Sequence, residues 1–493
     1  MIAAAALGLA LAWSVLILLR TLHVLQLESY VTTRLLRWMA ADPARAARVL
    51  SRPAGSTKKP LVFTGRAIRT AMVAGFVLLL FAAAVAVGAA GSIAWTIAGA
   101  ISIVLAAPFV VPLSNWLLAP VQRAINGRFL RTASARLAEA KPIVIGITGS
   151  YGKTSTKHFL QTILSQRYRT LMTPGSYNTY MGVCRVINEQ LAAEHEVFIV
   201  EMAAYGRGEI REIADLVHPR IGILTAIGPQ HLEWFGSIEN IEATKYELMQ
   251  SLPPGGAAVF NADDPRCRAL ADRTTHVKVL RFGIIAPGTL RVRAEGIAHS
   301  RQGLSFVLVD DSATRVPVAT RLLGRHNVPN ILAAAAAALE LGLSLEDIAA
   351  GAARLEAPEH RLQPLEGAGG VTVIDDAYNS NPEGAAEALD VLRQFTTGRK
   401  VLVTPGMVEL GPLQEEANKT FGRQAAAICD HVILVGPAQT RPIRAGLEEA
   451  GFAADRVTSV NTLKEAEGVL QRILKPGDVV LFENDLPDQY AES

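Results

Sequence analysis

The residues predict an α/β chain: a P-loop central domain with a mostly parallel sheet, a Rossmann-like C-terminal α/β domain, and a helical transmembrane module ahead of both. Three observations carry that prediction. Met1–Leu19 and Ala71–Pro120 contain no charged side chain. The β-branched run Pro142–Thr148 leads straight into the glycine-rich Gly149–Thr154 and then into a helical stretch, the order strand, phosphate-binding loop, helix. In the last third, short apolar segments at Val371–Ile374, Lys400–Thr404, His431–Val435 and Asp478–Phe482 alternate with helical ones, as parallel strands do with crossover helices.

Size allows this organisation. At 493 residues and roughly 100–200 residues per domain, about three modules fit, expected at 1–140, 141–356 and 357–493. Half of the residues are hydrophobic and the mean hydropathy is +0.26, a bias that membrane spans explain better than Ala-rich helices alone. A formal net charge of only +3 leaves no global nucleic-acid footprint, because such proteins concentrate Lys and Arg on one face. No nucleic-acid partner is expected. Cys184, Cys267 and Cys429 lie far apart, without C-x-x-C spacing or a partnered His, so they indicate neither a disulfide framework nor a zinc site. They read as buried thiols of a reducing compartment.

In the first module, spans are expected at about 1–19, 71–90 and 93–119, with a basic cytoplasmic loop over 20–70. At about 1.5 Å per residue the first uncharged run just crosses a ~30 Å hydrocarbon core. A signal peptide is the competing reading, but no basic region precedes the apolar run and no small-residue cleavage site follows it. The second uncharged run is long enough for two helices joined near Gly88–Ser92. The loop before it holds Arg20, Arg34, Arg37, Arg45, Arg48, Arg52, Lys58, Lys59, Arg66 and Arg69 against Glu28 and Asp42. The positive-inside rule puts that loop in the cytoplasm, and everything after the hairpin returns to the same side. The expectation is a multi-pass protein of the cell membrane with cytoplasmic catalytic domains. Val121–Ala140 carries Arg and small apolar residues at helical spacing and reads equally as an interfacial amphipathic helix or a plain linker helix.

The glycine loop is the nucleotide site. Glycines let backbone N–H groups wrap a phosphate chain, and the following helix N-terminus adds positive potential. Lys153 can reach the terminal phosphates, and the Thr154 hydroxyl can bind magnesium. Gly149, Ser150, Gly152, Lys153, Thr154 and Ser155 are the expected ATP contacts. Counted from Gly146, the loop has one residue more than the standard G-x-x-x-x-G-K-[ST] spacing. Glu201 ends the apolar run Val197–Val200, where the C-terminal edge of a parallel sheet faces the ligand crevice, and its oxygens suit magnesium. The alternative is a capping or surface glutamate. His231 follows the strand-like Ile221–Ile227 and lands on the same rim. Taken alone, such a histidine is more often structural.

The compact Thr-Gly-Ser-x-Gly-Lys-Thr form of the loop resembles the Mur ligase family. From Lys141 to about Gly411, further segments resemble its branch that adds D-alanyl-D-alanine to a UDP-N-acetylmuramoyl tripeptide: Thr173–Gly182, Val200–Ala203, His231–Gly236, Lys245, Gly324–Asn330, Glu359–Arg361, Asp375–Pro382 and Gly406–Gly411. The resemblance implies ATP and two magnesium sites held by Thr154, Glu201, His231 and Lys245, the last as a carbamate formed with carbon dioxide. It implies Lys153, Glu201, His231 and Lys245 as the catalytic set. It places Asn327 at the nucleotide base, Arg361 at the phosphates and Asp376 at the ribose, so that ATP bridges two lobes. The bland readings are a solvated helix lysine for Lys245, an N-cap for Asn327 and turn formers for Asn379 and Asn381 around Pro382.

The implied reaction is an ATP-dependent amide ligation through an acyl-phosphate, between a substrate carboxylate and an amino-acid or peptide amine. Two departures bear on the substrate. In the soluble enzymes of the family an N-terminal domain holds UDP, where this chain has apolar spans and a basic loop. The family's Lys-Gly-Ser-type motif after the last strand is replaced by the acidic Phe482–Tyr490, which could receive an ammonium group or form a solvated tail. A lipid-linked or polymeric envelope precursor at the membrane surface is therefore expected. The alternatives are the housekeeping muramoyl-tripeptide ligase with an anchor, a poly-γ-glutamate synthase-like ligase, and a P-loop ATPase of transport or scaffolding that performs no ligation. Nothing in the residues assigns an oligomeric state.

Overall fold

A computed structural model describes residues 2–51, 60–88, 92–175, 177–378 and 380–485. The chain divides into two compact units, one ending at Arg128 and the other beginning at Phe129. The first unit is helical: α1 (Ile2–Leu27), α2 (Thr32–Ala41), α3 (Pro43–Ser51), α4 (Gly65–Gly88), α5 (Ile93–Leu117) and the start of α6 (Ala119–Ala140). Among the described residues, Ala5–Leu27, Gly65–Gly88 and Ile93–Leu117 are long and apolar enough to cross a membrane. Their shared core includes Leu22, Leu25, Leu78, Ile103 and Val111, while Leu79, Leu80, Trp95, Leu105 and Phe109 point outward, each more than half exposed.

The helices differ in detail from expectation. The first runs past Arg20 to Leu27 because Thr21, Leu22 and Leu25 still face the helix core. The basic loop is itself partly helical, since Leu35, Ala46 and Leu50 give α2 and α3 an apolar side. At the polar ends Asn115 donates to the Tyr30 carbonyl (3.1 Å) and Thr32 Oγ1 (2.9 Å), and it accepts from Arg66 (3.2 Å). Arg52, Lys58, Lys59 and the 89–91 link of the expected hairpin lie outside the described residues.

The second unit opens on the rest of α6, whose Leu130, Ala133, Leu137 and Ala140 pack into protein. That uses the apolar side an interfacial helix would need and favours the linker reading. Next come β1 (Ile143–Thr148), α7 (Lys153–Leu164), β2 (Thr170–Met172), α8 (Tyr180–Gln190), β3 (Val197–Glu201), α9 (Glu209–Val217), β4 (Ile221–Leu224), α10 (Leu232–Phe235), α11 (Ile238–Gln250), β5 (Ala257–Asn261), α12 (Pro265–Arg273), β6 (Lys278–Gly283), β7 (Val292–Ser300), β8 (Gly303–Asp310), β9 (Arg315–Thr320), α13 (Asn327–Glu340) and α14 (Leu345–Ala352). The sheet order is β2-β3-β1-β4-β5-β6-β7-β8-β9. It is parallel through β7, and β8 and β9 add antiparallel strands at one edge. Successive residues of β1, β3 and β4 fall into two different cores, as a sheet covered on both faces requires. Ala333–Ala338 of α13 are all fully buried; without long side chains the helix lies close against the strands.

The C-terminal part follows with β10 (Gln363–Glu366), β11 (Thr372–Asp376), α15 (Pro382–Arg393), β12 (Lys400–Thr404), α16 (Gln414–Ala426), β13 (His431–Val435), α17 (Arg441–Glu449), β14 (Val457–Val460), α18 (Leu463–Ile473) and β15 (Val479–Glu483). Its sheet order is β10-β11-β15-β12-β13-β14, parallel except for β10. The edge strands β10 and β14 went unanticipated because neither carries a run of apolar residues.

Candidate functional site

β1 lies between β3 and β4, parallel to both, so the C-terminal ends of all three open onto one rim. The glycine loop sits there under tight constraint. Gly149 and Gly152 have φ of +147° and +77°, and a Cβ on them would come within 2.0 Å of Thr225 Oγ1 and 2.2 Å of Asn330 Oδ1. No other residue fits either position. Ser150 is tied to the 225–228 loop: its N–H donates to Ala226 O (2.8 Å), and its hydroxyl exchanges 3.0 Å bonds with Gly228. It therefore supports the loop through its side chain. Lys153 Nζ donates to the carbonyls of Gly149 (2.6 Å) and Ser150 (3.0 Å). Burial lowers its pKa to about 8, against the pull of Glu201 and with the push of Arg361. Thr154 and Ser155 open α7 beside it.

Glu201, at the end of β3, is 2% exposed. Its carboxylate accepts from Thr154 Oγ1 (3.1 and 3.2 Å) and Asn178 Nδ2 (3.1 Å), and it pairs with Lys157 Nζ at 2.9 Å. Burial alone would raise its pKa, but Lys157, Lys153 and the hydrogen bonds hold it below the usual carboxylate range. Lys157 and Asn178 were not assigned roles by the sequence. The available signal for Lys157 was a charge on the inward stripe of α7 that Leu160 and Leu164 continue.

His231 adopts φ +57°. Its Nδ1 lies 2.5 Å from Glu409 Oε2, and its ring packs on Tyr205 at 4.6 Å. Burial lowers its pKa, with Glu409 opposing, so the imidazole is neutral with Nε2 free of that bond, as metal ligation requires. Lys245, on α11, is 3% exposed, with Nζ 5.9 Å from the Phe235 ring centre. Burial, and then Lys153, lower its pKa to about 7. Lys153 lowers the pKa values of Glu201, His231 and Lys245, and Lys245 lowers that of His231; Glu201 is tied to the glycine loop through Thr154, the neighbour of Lys153, and His231 follows β4, the strand on the other side of β1. The buried carboxylate, the hydroxyl and the neutral imidazole suit a hard divalent cation. Among the described residues no three or more His, Cys, Asp or Glu side chains are grouped to hold a metal ion.

The C-terminal part reaches this edge of the sheet. Glu409 reaches His231, and its carbonyl accepts from Glu233 N (3.3 Å). Arg361 stacks 4.2 Å over the Tyr378 ring. Asp376 Oδ1 accepts from Leu362 N (3.1 Å), and burial raises its pKa against Arg361. Asn327 does not occupy the N-cap position, which falls to His326. Its amide donates to Leu323 O (2.7 Å) and accepts from Asn330 (3.4 Å), which leaves one N–H and one carbonyl lone pair. Asn381 caps α15 through Gly384 N (2.9 Å), which is the bland reading of that residue. Asn379 lies outside the described residues.

Glu483 is no solvated tail. It is 1% exposed, pairs in register with Asp376, and accepts hydrogen bonds from Ser380 and Thr404; residues 486–490 of the acidic segment lie outside the described residues. Burial pushes its pKa up to about 8, the Ser380 hydroxyl pulling down and Asp376 pushing up. The folded chain thus holds this proton more tightly than an unfolded one. The stability it contributes is complete below the ordinary carboxylate pKa of about 4.3 and is lost as pH rises through about 8. Glu483→Gln is expected to flatten the fall in unfolding free energy between about pH 5 and 8.5, by on the order of 4 kcal/mol. Denaturant melts across that range measure it, and an unchanged slope refutes it.

A family model described as the Mur ligase middle domain matches residues 147–338, and one described as "Mur ligase, glutamate ligase domain" matches 360–483. The chain is 36% identical over 371 residues to the UDP-N-acetylmuramoyl-tripeptide–D-alanyl-D-alanine ligase of Mycobacterium tuberculosis (strain CDC 1551 / Oshkosh), covering 71% of each. Among solved structures it is similar to MurF from Acinetobacter baumannii, with TM-score 0.65 and 28% identity over 73% of this chain and 78% of that one. The MurF ligase from Thermotoga maritima in complex with ADP gives TM-score 0.65 and 25% identity over 74% and 81%. Lys153, Glu201, His231, Lys245 and Asn327 fall in the first matched segment, Arg361 and Asp376 in the second.

Proposed function

The chain belongs to the Mur ligase family of ATP-dependent amide ligases, and from that premise we propose that it is a membrane-anchored ligase of peptidoglycan precursors. It transfers the γ-phosphoryl of ATP to a peptide carboxylate and couples the acyl-phosphate to the amine of a dipeptide. The observation that carries the reading is the geometry at the end of the parallel sheet: Glu201 bonded to Thr154 beside Lys153 of the glycine loop, and His231 held by Glu409 of the C-terminal part. A P-loop ATPase that performs no ligation would not account for a family match running through both α/β parts.

In this reading the N–H groups of Gly149–Thr154 cradle the phosphates, Lys153 neutralises charge on the transferring group, and Arg361 approaches from the other lobe. Thr154 and Glu201 would hold one Mg²⁺, and His231 with Lys245, as its carbamate, would hold a second. Bound there, the ions would neutralise phosphate charge and orient the attacking carboxylate. Glu409 keeps the His231 ring turned to the cleft. Asp376 receives the ribose hydroxyls. The amine then attacks the acyl carbon, the C–O bond to phosphate breaks, and amide, ADP and phosphate leave. Enclosure by the two lobes keeps water from the acyl-phosphate.

The precursor is proposed to be lipid-linked, because three apolar helices precede the matched segments. A second reading, the housekeeping reaction on the UDP-linked tripeptide, is favoured by the 36% identity to a ligase bearing that name. Full-length protein in nanodiscs distinguishes them. Phosphate release is expected to require both a muramoyl tripeptide and D-alanyl-D-alanine, and to run faster on the lipid-linked tripeptide. Equal or faster turnover of the UDP-linked form establishes the housekeeping reading. Hydrolysis that needs neither substrate defeats both.

A further inference from the structure

We infer that Lys157 is a positioning residue, a buried cation that locks the Glu201 carboxylate so that it meets the metal in one fixed orientation. The inference rests on the reading of Glu201 as a metal ligand. Lys157 has no exposed surface, and its ammonium bonds both Glu201 Oε2 and the Gly175 carbonyl at 2.9 Å. Glu201 is thereby held at both ends, Oε2 by Lys157 and Oε1 by Asn178, while its backbone N–H is fixed by Thr173 Oγ1 at 3.1 Å. The remaining partner is the Thr154 hydroxyl, which lies within 3.2 Å of both oxygens. One hydroxyl proton cannot satisfy two acceptors fully, so it is the bond most easily exchanged for a cation.

Stability does not explain the lysine. A fully buried ion pair costs about as much in lost hydration as it returns, and apolar residues of similar volume often serve as well or better. The stripe of α7 that holds Lys157 continues as buried Leu160 and Leu164, where a leucine or methionine would pack. What an apolar residue cannot do is hold Oε2 in place while leaving the carboxylate face beside Thr154 open.

The test is Mn²⁺ affinity, read by electron paramagnetic resonance on the full-length protein with ADP present. Lys157→Met, of similar length and uncharged, is expected to weaken Mn²⁺ binding about tenfold, the cost usual for removing the partner of a metal ligand, and to raise the Mg²⁺ concentration for half-maximal turnover in parallel. ADP affinity without metal is expected to stay within about twofold. Tighter Mn²⁺ binding would mean that the charge of Lys157 repels the ion more than its bonds orient the ligand, and that overturns the inference, as does an unchanged affinity. Should Lys157→Met not fold, Lys157→Gln carries the same expectation. Glu201→Gln separates the two claims. If that variant binds Mn²⁺ normally, the assignment of Glu201 fails. If it loses binding while Lys157→Met does not, only the inference about Lys157 fails.

Discussion

Lys153→Ala is expected to lower ligation by on the order of 10³-fold, the scale seen when one preorganised charge-stabilising group is removed from a transition state. Lys153 follows the last loop glycine, with its ammonium folded onto the Gly149 and Ser150 carbonyls. Its pKa of about 8 comes from burial and from Arg361. A polyphosphate brought into the loop supplies negative charge and raises that value again, so the lysine is fully charged when it is needed. Its loss removes a cation from a partly buried position, where charge interactions are stronger than in bulk water. Phosphate release and product formation should fall together while the thermal melt stays near wild type. Residual activity within about tenfold would contradict the role.

The second large effect concerns Lys245. An ordinary lysine is almost wholly protonated at neutral pH and cannot attack carbon dioxide, whereas a pKa of about 7 leaves the amine neutral in a large share of molecules. A carbamate on Lys245 would replace a cation with an anion and so reverse the repulsion from Lys153. The sign for pH follows: loading falls as pH drops below about 7, because the free amine is what reacts. Carbon dioxide-depleted protein is expected to lose about tenfold in activity and to regain it on adding bicarbonate, while Lys245→Gln loses about 10²-fold and is indifferent to bicarbonate. Intact-mass spectra at neutral pH should show the increment of one carbon dioxide on wild type alone. Full activity in depleted buffer would sink the proposal.

Much of the site was legible because short-range physics wrote it locally. The glycine loop between Thr148 and Lys153, the carboxylate ending Val197–Glu201 and Ser237 capping α11 each follow from a few adjacent residues. Other features were not legible. Lys157 lies among helix residues of ordinary appearance and gains its meaning only when β3 brings Glu201 against it. Glu409 meets a histidine 178 positions earlier, and Glu483, taken as part of an acidic tail, is buried beside Asp376 because β11 and β15 pair in register.

The sequence alone determined the order of modules, the apolar helices, the phosphate loop and the class of chemistry, since periodicity, charge and glycine placement act over a few residues. Tertiary structure alone decided which titratable groups are buried beside one another, and so which way burial and neighbouring charges push the pKa values of Lys153, Lys245, His231 and Glu483. Those shifts depend on burial and on charges brought close by strand pairing, and no local pattern of residues records that distance.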